Sequence, residues 1–319
     1  MENTYKNILN ISAYKFVELQ EQELGLLKQT IIEKCQELAL KGTIIIATEG
    51  INIFLAGFST KIKQFFAWLN QIQAFIDVMP KESLSSTVPF RRMIVKIKPE
   101  IITMRMPVIR PQSERAPAVK AKTLAKWLET GFDDDNKPVV MLDTRNDFEV
   151  QVGTFNNAIN YHINKFTEFA EALEQNKQDL QGKTVVSFCT GGIRCEKAAI
   201  YMQNLGIQAY QLEGGILKYF EEVGPQHYNG ECFVFDYRTA LNPNLEVTGQ
   251  LQCYGCRAVL SLEDQQSSLY EPPLKCPHCA DKRQLISDEK QQRIQAKIAQ
   301  KMAKREEYRK SQKAIFAKI

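Results

Sequence analysis

Apolar and polar positions in the N-terminal part of the chain follow a strand-like period in four stretches and a helical period in two. The predicted strands are Ile8 to Phe16, Thr43 to Ala47, Ile51 to Leu55 and Arg92 to Ile97, and the predicted helices are Glu18 to Leu40 and Lys61 to Ile72. In chain order these elements read βαββαβ, which is the order of a ferredoxin-like sandwich. We therefore predict an α+β domain of this kind over residues 1–98.

Two basic segments lie at the end of this domain. Lys81 to Arg92 is polar and then basic, and we predict a loop there. Residues 99–120 hold four prolines, which fix φ and remove N–H donors, so this segment is predicted to be an extended linker. Its arginines and those of the loop could contact RNA phosphates, or they could simply be solvated. The candidate RNA contacts are Arg91, Arg92, Arg105 and Arg110.

Helical and buried-strand patterns alternate after residue 120. The predicted helices are Thr123 to Glu129, Phe166 to Glu174, Glu196 to Leu205 and one from Ile216, and the predicted strands are Val139 to Leu142, Val185 to Phe188 and Gln208 to Leu212. Such alternation predicts an α/β domain with a parallel sheet, here over residues 121–225.

Cys189 follows a buried strand and precedes a helix, so it lies where ligands bind in α/β sheets. The positive helix end and loop N–H groups there stabilise an anion, and a thiolate is such an anion. Gly191 and Gly192 let the backbone curl around the sulfur, and Arg194 adds a cation for an oxyanion or phosphate. The alternative is that Cys189 packs as a small hydrophobe. The predicted active-site loop comprises Cys189, Thr190, Gly191, Gly192, Ile193 and Arg194.

Three further residues could support this loop. Cys195 lies in the first helical turn, where it could pack and support the loop or act as a resolving thiol. Asp143 and Arg145 follow the neighbouring strand at the same sheet edge. We expect these two to bond loop backbone and Glu149, in a structural rather than a catalytic role.

Four late cysteines have the spacing of a metal site. Cys253, Cys256, Cys276 and Cys279 form C-x2-C, nineteen residues, C-x2-C. Two such pairs complete a tetrahedral thiolate site without an open position, which is the structural zinc pattern. Replacement of one cysteine by His278, or a redox role for either pair, is the alternative. Residues 226–285 are therefore predicted to be a zinc-binding region, with a strand from Phe233 to Tyr237.

Residues 286–319 read as one basic helix without glycine or proline, in which ten positive charges meet four negative ones. Such a helix suits an RNA backbone, although charged tails are often merely solvated.

The composition of the 319 residues is that of an ordinary globular protein, with 44% hydrophobic residues and a net charge of +4. No apolar run is long enough to span a bilayer, and the start of the sequence lacks a signal-peptide pattern. We expect a cytoplasmic protein without a membrane segment. In that compartment eight cysteines favour metal ligands or reactive thiols over disulfides.

Several strings resemble one family. CTGGIRCEKA from Cys189, LEGGI from Leu212, ATEGIN from Ala47 and GECFVFDYR from Gly230 are similar to rhodanese-domain, oxygen-dependent tRNA uridine hydroxylases, which form 5-hydroxyuridine at the wobble position. The loop from Cys189 to Arg194 is one residue shorter than the corresponding loop of cysteine phosphatases, and a smaller loop suits a sulfur or a small oxyanion better than a phosphate monoester. The resemblance implies an acylphosphatase-like N-terminal domain. Gly153-Thr154-Phe155 departs from the Gly-His-Ile element of rhodaneses.

The resemblance implies an enzyme that hydroxylates C5 of uridine 34 in tRNA, with molecular oxygen as co-substrate. Cys189 would be its essential group, as a thiolate or a persulfide, and the anticodon region of tRNA its partner. No flavin, haem or iron motif is present, which leaves the electron donor open, and no obligate protein partner is evident. The alternatives are a sulfurtransferase that carries a cysteine persulfide and a non-catalytic tRNA-binding adaptor.

Overall fold

The computed structural model describes residues 8–253, 255–272, 274–283, 292–293, 295–297, 299–300, 303 and 306. The chain divides into two compact units. One contains the residues up to Val234 together with Leu241–Glu246, and the other contains Phe235–Ala240 and the chain from Val247 onwards.

The N-terminal part of the first unit is a five-stranded sheet with two helices. Its elements are β1 (Ile8–Phe16), α1 (Leu24–Glu37), β2 (Lys41–Ala47), β3 (Gly50–Phe58), α2 (Ser59–Leu69), β4 (Lys81–Ser85) and β5 (Met93–Ile97). The strand order is β4-β1-β3-β2-β5, antiparallel except for the β2–β5 pair. The two helices close a core around Ile31, Ile44, Ile53 and Phe65, each of them fully buried. The predicted sandwich is confirmed.

The expected loop from Lys81 to Arg92 is wrong at its start, because Lys81–Ser85 is the edge strand β4 and pairs with β1. Only Ser85 of this strand is buried, so it lacks the apolar alternation by which a strand is recognised. The strand predicted at the end of the domain exists as β5, but it lies at the opposite edge, beside β2.

The proline-rich segment differs from an extended linker over much of its length. Ile101, Met104 and Ile109 are buried, and Glu100 accepts hydrogen bonds from the N–H groups of Met104 and Arg105 at 2.9 and 3.0 Å. Near its end it forms the short strand β6 (Ala118–Val119). The domain boundaries proposed from the sequence stay a prediction.

The following α/β part has a five-stranded parallel sheet in the order β6-β11-β10-β7-β9. Its elements are α3 (Ala121–Thr130), β7 (Val139–Asp143), α4 (Asp147–Val150), β8 (Gly153–Phe155), β9 (Ile159–Asn160), α5 (Phe169–Asn176), β10 (Thr184–Phe188), α6 (Ile193–Asn204), β11 (Ala209–Leu212), α7 (Gly215–Glu222) and β12 (Tyr228–Gly230). The central strand β10 is buried throughout, and apolar clusters cover both faces of the sheet. The predicted α/β fold class is confirmed.

Helix α6 begins at Ile193, earlier than the predicted start at Glu196. Gly192 precedes it with φ 95°, a left-handed conformation that side chains rarely adopt. Arg194 and Cys195 therefore belong to the first helical turn, and the loop itself runs only from Cys189 to Gly192.

The remaining elements are short: β13 (Cys232–Phe233), β14 (Ala240–Leu241), β15 (Leu251–Gln252), β16 (Val259–Leu260), α8 (Leu262–Gln266) and α9 (Ala280–Arg283). The predicted strand from Phe233 to Tyr237 is wrong beyond Phe233. Arg238 donates to both carboxylate oxygens of Asp236, at 2.9 and 2.6 Å, and this pair stabilises a turn in place of the strand. The predicted basic helix lies outside the described residues apart from a few helical positions between 292 and 306.

Candidate active site around Cys189

Cys189 is the first residue after the central strand, and two peptide segments close around it. Its Sγ accepts a hydrogen bond from the N–H of Gly192 at 3.1 Å, and its carbonyl accepts one from the N–H of Ile216 at 2.9 Å. A Cβ on Gly215 would lie 2.4 Å from that carbonyl oxygen, so only glycine fits there. The LEGGI string thus abuts the loop. The other loop side chains pack nearby: Thr190 donates to the carbonyl of Phe233 at 3.2 Å, and Ile193 is buried.

The surroundings of Cys189 favour its thiolate. Burial raises the pKa of a thiol, but here it is outweighed by the hydrogen bond from Cys195, the charge of Arg194 and the N–H groups of Arg194 and Gly192. Together these lower the pKa of Cys189 to about 5. The sulfur is therefore charged at neutral pH and ready to act as a nucleophile.

Cys195 is the proton donor in the pair of cysteines. It is buried, and burial together with the neighbouring Cys189 raises the pKa of its thiol well above the usual value. Its Sγ lies 3.6 Å from Oγ1 of Thr144, which in turn donates to the carbonyl of Phe188 at 2.9 Å. A thiol held in this way stays protonated and can donate to the thiolate, which is the geometry of a supporting group.

Arg194 points its guanidinium at a buried carboxylate. Nη1 and Nη2 donate to the two carboxylate oxygens of Glu149 at 2.6 and 2.8 Å. Burial would lower the pKa of Arg194, but the charge of Glu149 raises it above the usual value. Glu149 reaches this position because α4 begins beside the sheet edge, and it also accepts from the N–H of Asn146 at 3.1 Å.

Asp143 and Arg145 form a second buried pair, with Nη2 of Arg145 2.6 Å from the carboxylate of Asp143. Arg145 also donates to the carbonyl of Gly153 at 2.6 Å, and the hydroxyl of Thr154 donates to Asp143 at 2.8 Å. The pair therefore joins the end of β7 to β8, while the bond to the backbone of Glu149 is long, at 3.5 Å.

A wall of the site that the sequence did not reveal comes from the N-terminal sheet. Tyr14 on β1 donates its hydroxyl hydrogen to Oε1 of Glu196 at 3.3 Å. The ammonium of Lys81 on β4 lies 4.6 Å from the centre of the Tyr14 ring. A Cβ on Gly191 would lie 3.4 Å from Oγ of Ser12. The alternation of β1 puts Ser12 and Tyr14 on one face, but nothing local indicates what that face contacts.

Charges are only partly compensated where this wall meets α6, the helix that contains Glu196. Burial lowers the pKa of Lys81 to about 8, against the opposing effects of the Cys189 thiolate and of Glu196. Oε2 of Glu196 is buried and has no hydrogen-bond partner among the described residues.

Lys197 connects the same two sheets one residue further along α6. Its buried ammonium lies 2.8 Å from Glu49 and 2.7 Å from Glu100, and it donates to the carbonyl of Ile102 at 3.0 Å. Glu49 belongs to the ATEGIN string, so the structure gives that string an ionic contact with α6.

The four arginines proposed as RNA contacts lie elsewhere. Arg91 and Arg92 precede β5, and Arg105 and Arg110 lie in the segment after it. All four are exposed. The described residues show no contact between these side chains and the Cys189 loop.

The four late cysteines come together within the second unit. Their sulfur atoms lie within 4.8 Å of one another, with Cys276 3.6 Å from Cys256 and 3.8 Å from Cys279. Four sulfurs around a zinc ion with bonds of about 2.3 Å are separated by nearly these distances. His278 is 3.0 Å from Asp264, so its ring is engaged with a carboxylate. The cluster could hold a metal ion.

Comparisons with known proteins give two domain matches and close relatives. Residues 8–101 match the family described as UPF0176 acylphosphatase like domain, and residues 124–222 match the rhodanese-like domain. A tRNA uridine(34) hydroxylase of Cupriavidus metallidurans is 60% identical over 275 residues, which is 86% of this chain and 97% of the relative. The tRNA uridine(34) hydroxylase of Cupriavidus taiwanensis is 61% identical over 273 residues, which is 85% of this chain and 96% of the relative. That of Ralstonia nicotianae is 59% identical over 275 residues, which is 86% of this chain and 97% of the relative. Across the described part of the chain, no helix has the length and apolarity needed to cross a membrane.

Proposed function

This chain belongs to the tRNA uridine(34) hydroxylase family, and we propose that Cys189 is the nucleophile in the hydroxylation of C5 of uridine 34 in the anticodon of tRNA. The family predicted from the sequence is confirmed. The chain is accordingly a tRNA-modifying enzyme with a rhodanese domain, and a hydroxylase of this kind uses oxygen as co-substrate. The observation that supports the assignment to Cys189 is the hydrogen bond from the N–H of Gly192 to its sulfur, at the end of the central strand.

A thiolate in this position suits addition to the pyrimidine. In the first step the Cys189 sulfur bonds to C6 of uracil, and the electron pair of the C5–C6 double bond moves to C5 and O4 as an enolate. C5 then bonds to one oxygen of O₂, which gives a hydroperoxide. A two-electron reductant, such as a pair of thiols that become a disulfide, cleaves the O–O bond, so that one oxygen stays on C5 as a hydroxyl and the other leaves as water. Loss of the C5 proton and departure of the thiolate restore the double bond. Overall, uridine, O₂, two electrons and two protons give 5-hydroxyuridine and water.

The experiment is nucleoside mass spectrometry of tRNA from cells that lack the protein, complemented with the wild type, Cys189→Ser or Cys35→Ser. Cys35 is a buried cysteine of the N-terminal core and serves as the matched control. We expect 5-hydroxyuridine derivatives to return with the wild type and the control but not with Cys189→Ser. Their return with Cys189→Ser would contradict the assignment and favour a binding role for the loop.

The same loop would also accept a sulfane sulfur, because a thiolate beside N–H donors suits a persulfide. A sulfurtransferase is therefore the second candidate. It predicts that thiosulfate converts Cys189 to a persulfide that passes its sulfur to cyanide or a thiol. Loss of thiolated nucleosides, with 5-hydroxyuridine unchanged, would favour it over the hydroxylase.

We further propose that the four-cysteine cluster holds a structural zinc ion. Cys253, Cys256, Cys276 and Cys279 supply four sulfurs and leave no open coordination position, so the ion would stabilise the second unit and take no part in the chemistry. Metal analysis of the purified protein should give one zinc per chain, and the Cys276→Ser variant should retain little or none. A metal-free wild type with unchanged thermal stability would contradict this assignment.

The exposed arginines and the basic C-terminal residues would supply the charge for tRNA binding. Arg91, Arg92, Arg105 and Arg110 are free to approach a phosphate backbone because their side chains face solvent. An enzyme that acts on tRNA in this way would work in the cytoplasm and would need no obligate protein partner.

A further inference from the structure

Among the described residues, two charged groups near Cys189 form no ion pair. Oε2 of Glu196 is buried and accepts no hydrogen bond among the described residues, while Oε1 accepts from Tyr14 at 3.3 Å. Glu196 as a whole is only 9% exposed, so water compensates its charge poorly. In the described part of the chain, Lys81 has no carboxylate within 4.0 Å and contacts only the ring of Tyr14 by its ammonium, at 4.6 Å. Buried polar groups in proteins are seldom left unpaired, so these two call for an explanation.

Both groups face the Cys189 loop. A Cβ on Gly191 would lie 4.0 Å from Cδ of Lys81, and one on Gly192 would lie 3.0 Å from the hydroxyl of Tyr14, which bonds to Glu196. Gly192 is the residue whose N–H contacts the Cys189 sulfur at 3.1 Å. Among the described residues, an ammonium without an ion pair and a carboxylate oxygen without a hydrogen bond therefore lie close to the glycines of the Cys189 loop.

This pair of groups is complementary to one edge of a uracil ring. Uracil presents O4 as an acceptor and N3–H as a donor, side by side. We propose that Lys81 and Glu196 read the target base as uracil, with the Lys81 ammonium donating to O4 and Oε2 of Glu196 accepting from N3–H. The inference rests on the proposed function, because it places a uridine at Cys189.

The same contacts would reject cytosine and assist the reaction. Cytosine presents an amino group at position 4 and a bare N3, so it would set donor against donor and acceptor against acceptor. When the thiolate adds to C6, negative charge develops on O4, and a lysine ammonium at that oxygen stabilises the charge as it forms. Lys81 is thus both a reader of the base and a stabiliser of the enolate.

The base can approach from the side on which Lys81 lies. Lys81, Gly191 and Gly214 are each half-buried, whereas Cys189 and Gly192 are fully covered. A Cβ on Gly214 would lie 3.6 Å from Cε of Lys81, so the lysine stem now lies across this side. Its four-carbon stem is flexible and can fold aside as the base takes its place.

The test is binding of anticodon stem-loop RNA with U34 or C34, measured in the Cys189→Ser protein so that no reaction intervenes. We expect the background protein to bind the U34 stem-loop at least tenfold more tightly than the C34 stem-loop. Adding Glu196→Gln should bring this ratio close to one, because the amide turned towards the ring can donate to the N3 of cytosine. Adding Lys81→Met should lower it severalfold, and Lys81→Arg should restore part of it.

Matched controls are Glu171→Gln and Lys177→Met in the same background. Glu171 is an exposed carboxylate on α5, and Lys177 is a lysine paired with Glu174 at 2.8 Å. Both controls should keep the ratio of the background protein. If Glu196→Gln fails to fold, Lys81→Met is the deciding variant. Lys81 is half-buried on an edge strand, so its replacement should leave the fold intact.

An unchanged ratio in both Glu196→Gln and Lys81→Met would overturn the proposal, as would a background protein that binds the two stem-loops equally. Failure of the proposed function looks different. In that case the U34 preference and its loss in the variants would be seen, but the enzyme with Cys189 intact would form no 5-hydroxyuridine.

Discussion

The two sides of the Cys189 site differ in how far their charged side chains are paired. On the rhodanese side, Arg194 pairs with Glu149 and Arg145 with Asp143, and each of these four side chains is buried with a partner. Where the N-terminal sheet meets α6, Lys81 forms no ion pair and one oxygen of Glu196 accepts no hydrogen bond among the described residues. The buried pairs hold the loop in place, whereas Lys81 and Glu196 are the groups that we propose to meet the base. Variants in the first wall should therefore affect stability, and variants in the second should affect recognition and rate.

The largest effect is expected from breaking a pair in the rhodanese wall. Glu149→Gln removes the carboxylate that forms an ion pair with the buried guanidinium of Arg194, which then keeps the weaker effect of the Cys189 thiolate. We expect the free energy of unfolding to fall by about 3–5 kcal/mol. Denaturant unfolding measures it, with Glu171→Gln, an exposed position on α5, as the control. A loss below about 1 kcal/mol would mean that this pair does not hold the loop.

Lys197→Met should lower stability by less, about 2 kcal/mol, because Glu49 and Glu100 both keep some contact with water. Burial already raises the pKa of Glu49 against the opposing effect of Lys197. Without the lysine this pKa rises further, so the folded state binds a proton more readily than the unfolded chain does. The loss should therefore shrink as the pH falls towards 5, which unfolding curves at several pH values will show. A loss that is independent of pH would contradict this account.

The wall from the N-terminal sheet, which contains Lys81, should influence how the rate of hydroxylation depends on pH. The thiolate fraction of Cys189 rises through a pKa of about 5, and the ammonium fraction of Lys81 falls through a pKa of about 8. The rate of hydroxylation of tRNA should therefore be bell-shaped, and it should fall up to tenfold per pH unit on each side. The groups that face Lys81 and set its charge are Cys189, Glu196, Glu213, Lys218 and the ring of Tyr14.

Lys81→Arg separates the two sides of this profile. Arginine stays charged over the whole range, so the decline above pH 8 should disappear while the rise near pH 5 stays. A basic decline that persists in this variant would belong to another group, such as N3 of the uracil itself.

The rhodanese wall could largely be predicted from the sequence because its signals are local. A buried strand, two glycines and a helix within a short stretch place Cys189, and Asp143 and Arg145 follow the next strand at the same edge. The start of α6 was misplaced, since the left-handed Gly192 begins the helix before the apolar pattern does, and the short helix α4 that carries Glu149 was not predicted.

The other wall could not be predicted in this way. Tyr14 and Glu196 are 182 positions apart, and no local period reports such a contact. Lys81 lies on an edge strand whose residues are mostly polar, so the sequence pattern was that of a loop. Glu49 and Lys197 belong to the ATEGIN and CTGGIRCEKA strings, but neither string predicts their ion pair. That pair depends on how the N-terminal sheet packs against α6.

The smallest predicted effect concerns Cys195, which belongs to the paired wall but acts on the reactive sulfur. Cys195→Ala removes a hydrogen bond to the Cys189 thiolate, so the pKa of Cys189 should rise by about one unit, or about 1.4 kcal/mol. Cys195→Ser keeps a donor and should raise it less. The measurement is the rate of alkylation of Cys189 by iodoacetamide as a function of pH, followed by mass spectrometry of the peptide, with Cys35→Ser as the control. If Cys195 instead served as a resolving thiol, both variants would leave this profile unchanged, and mild oxidant would trap a Cys189–Cys195 disulfide in the wild type alone.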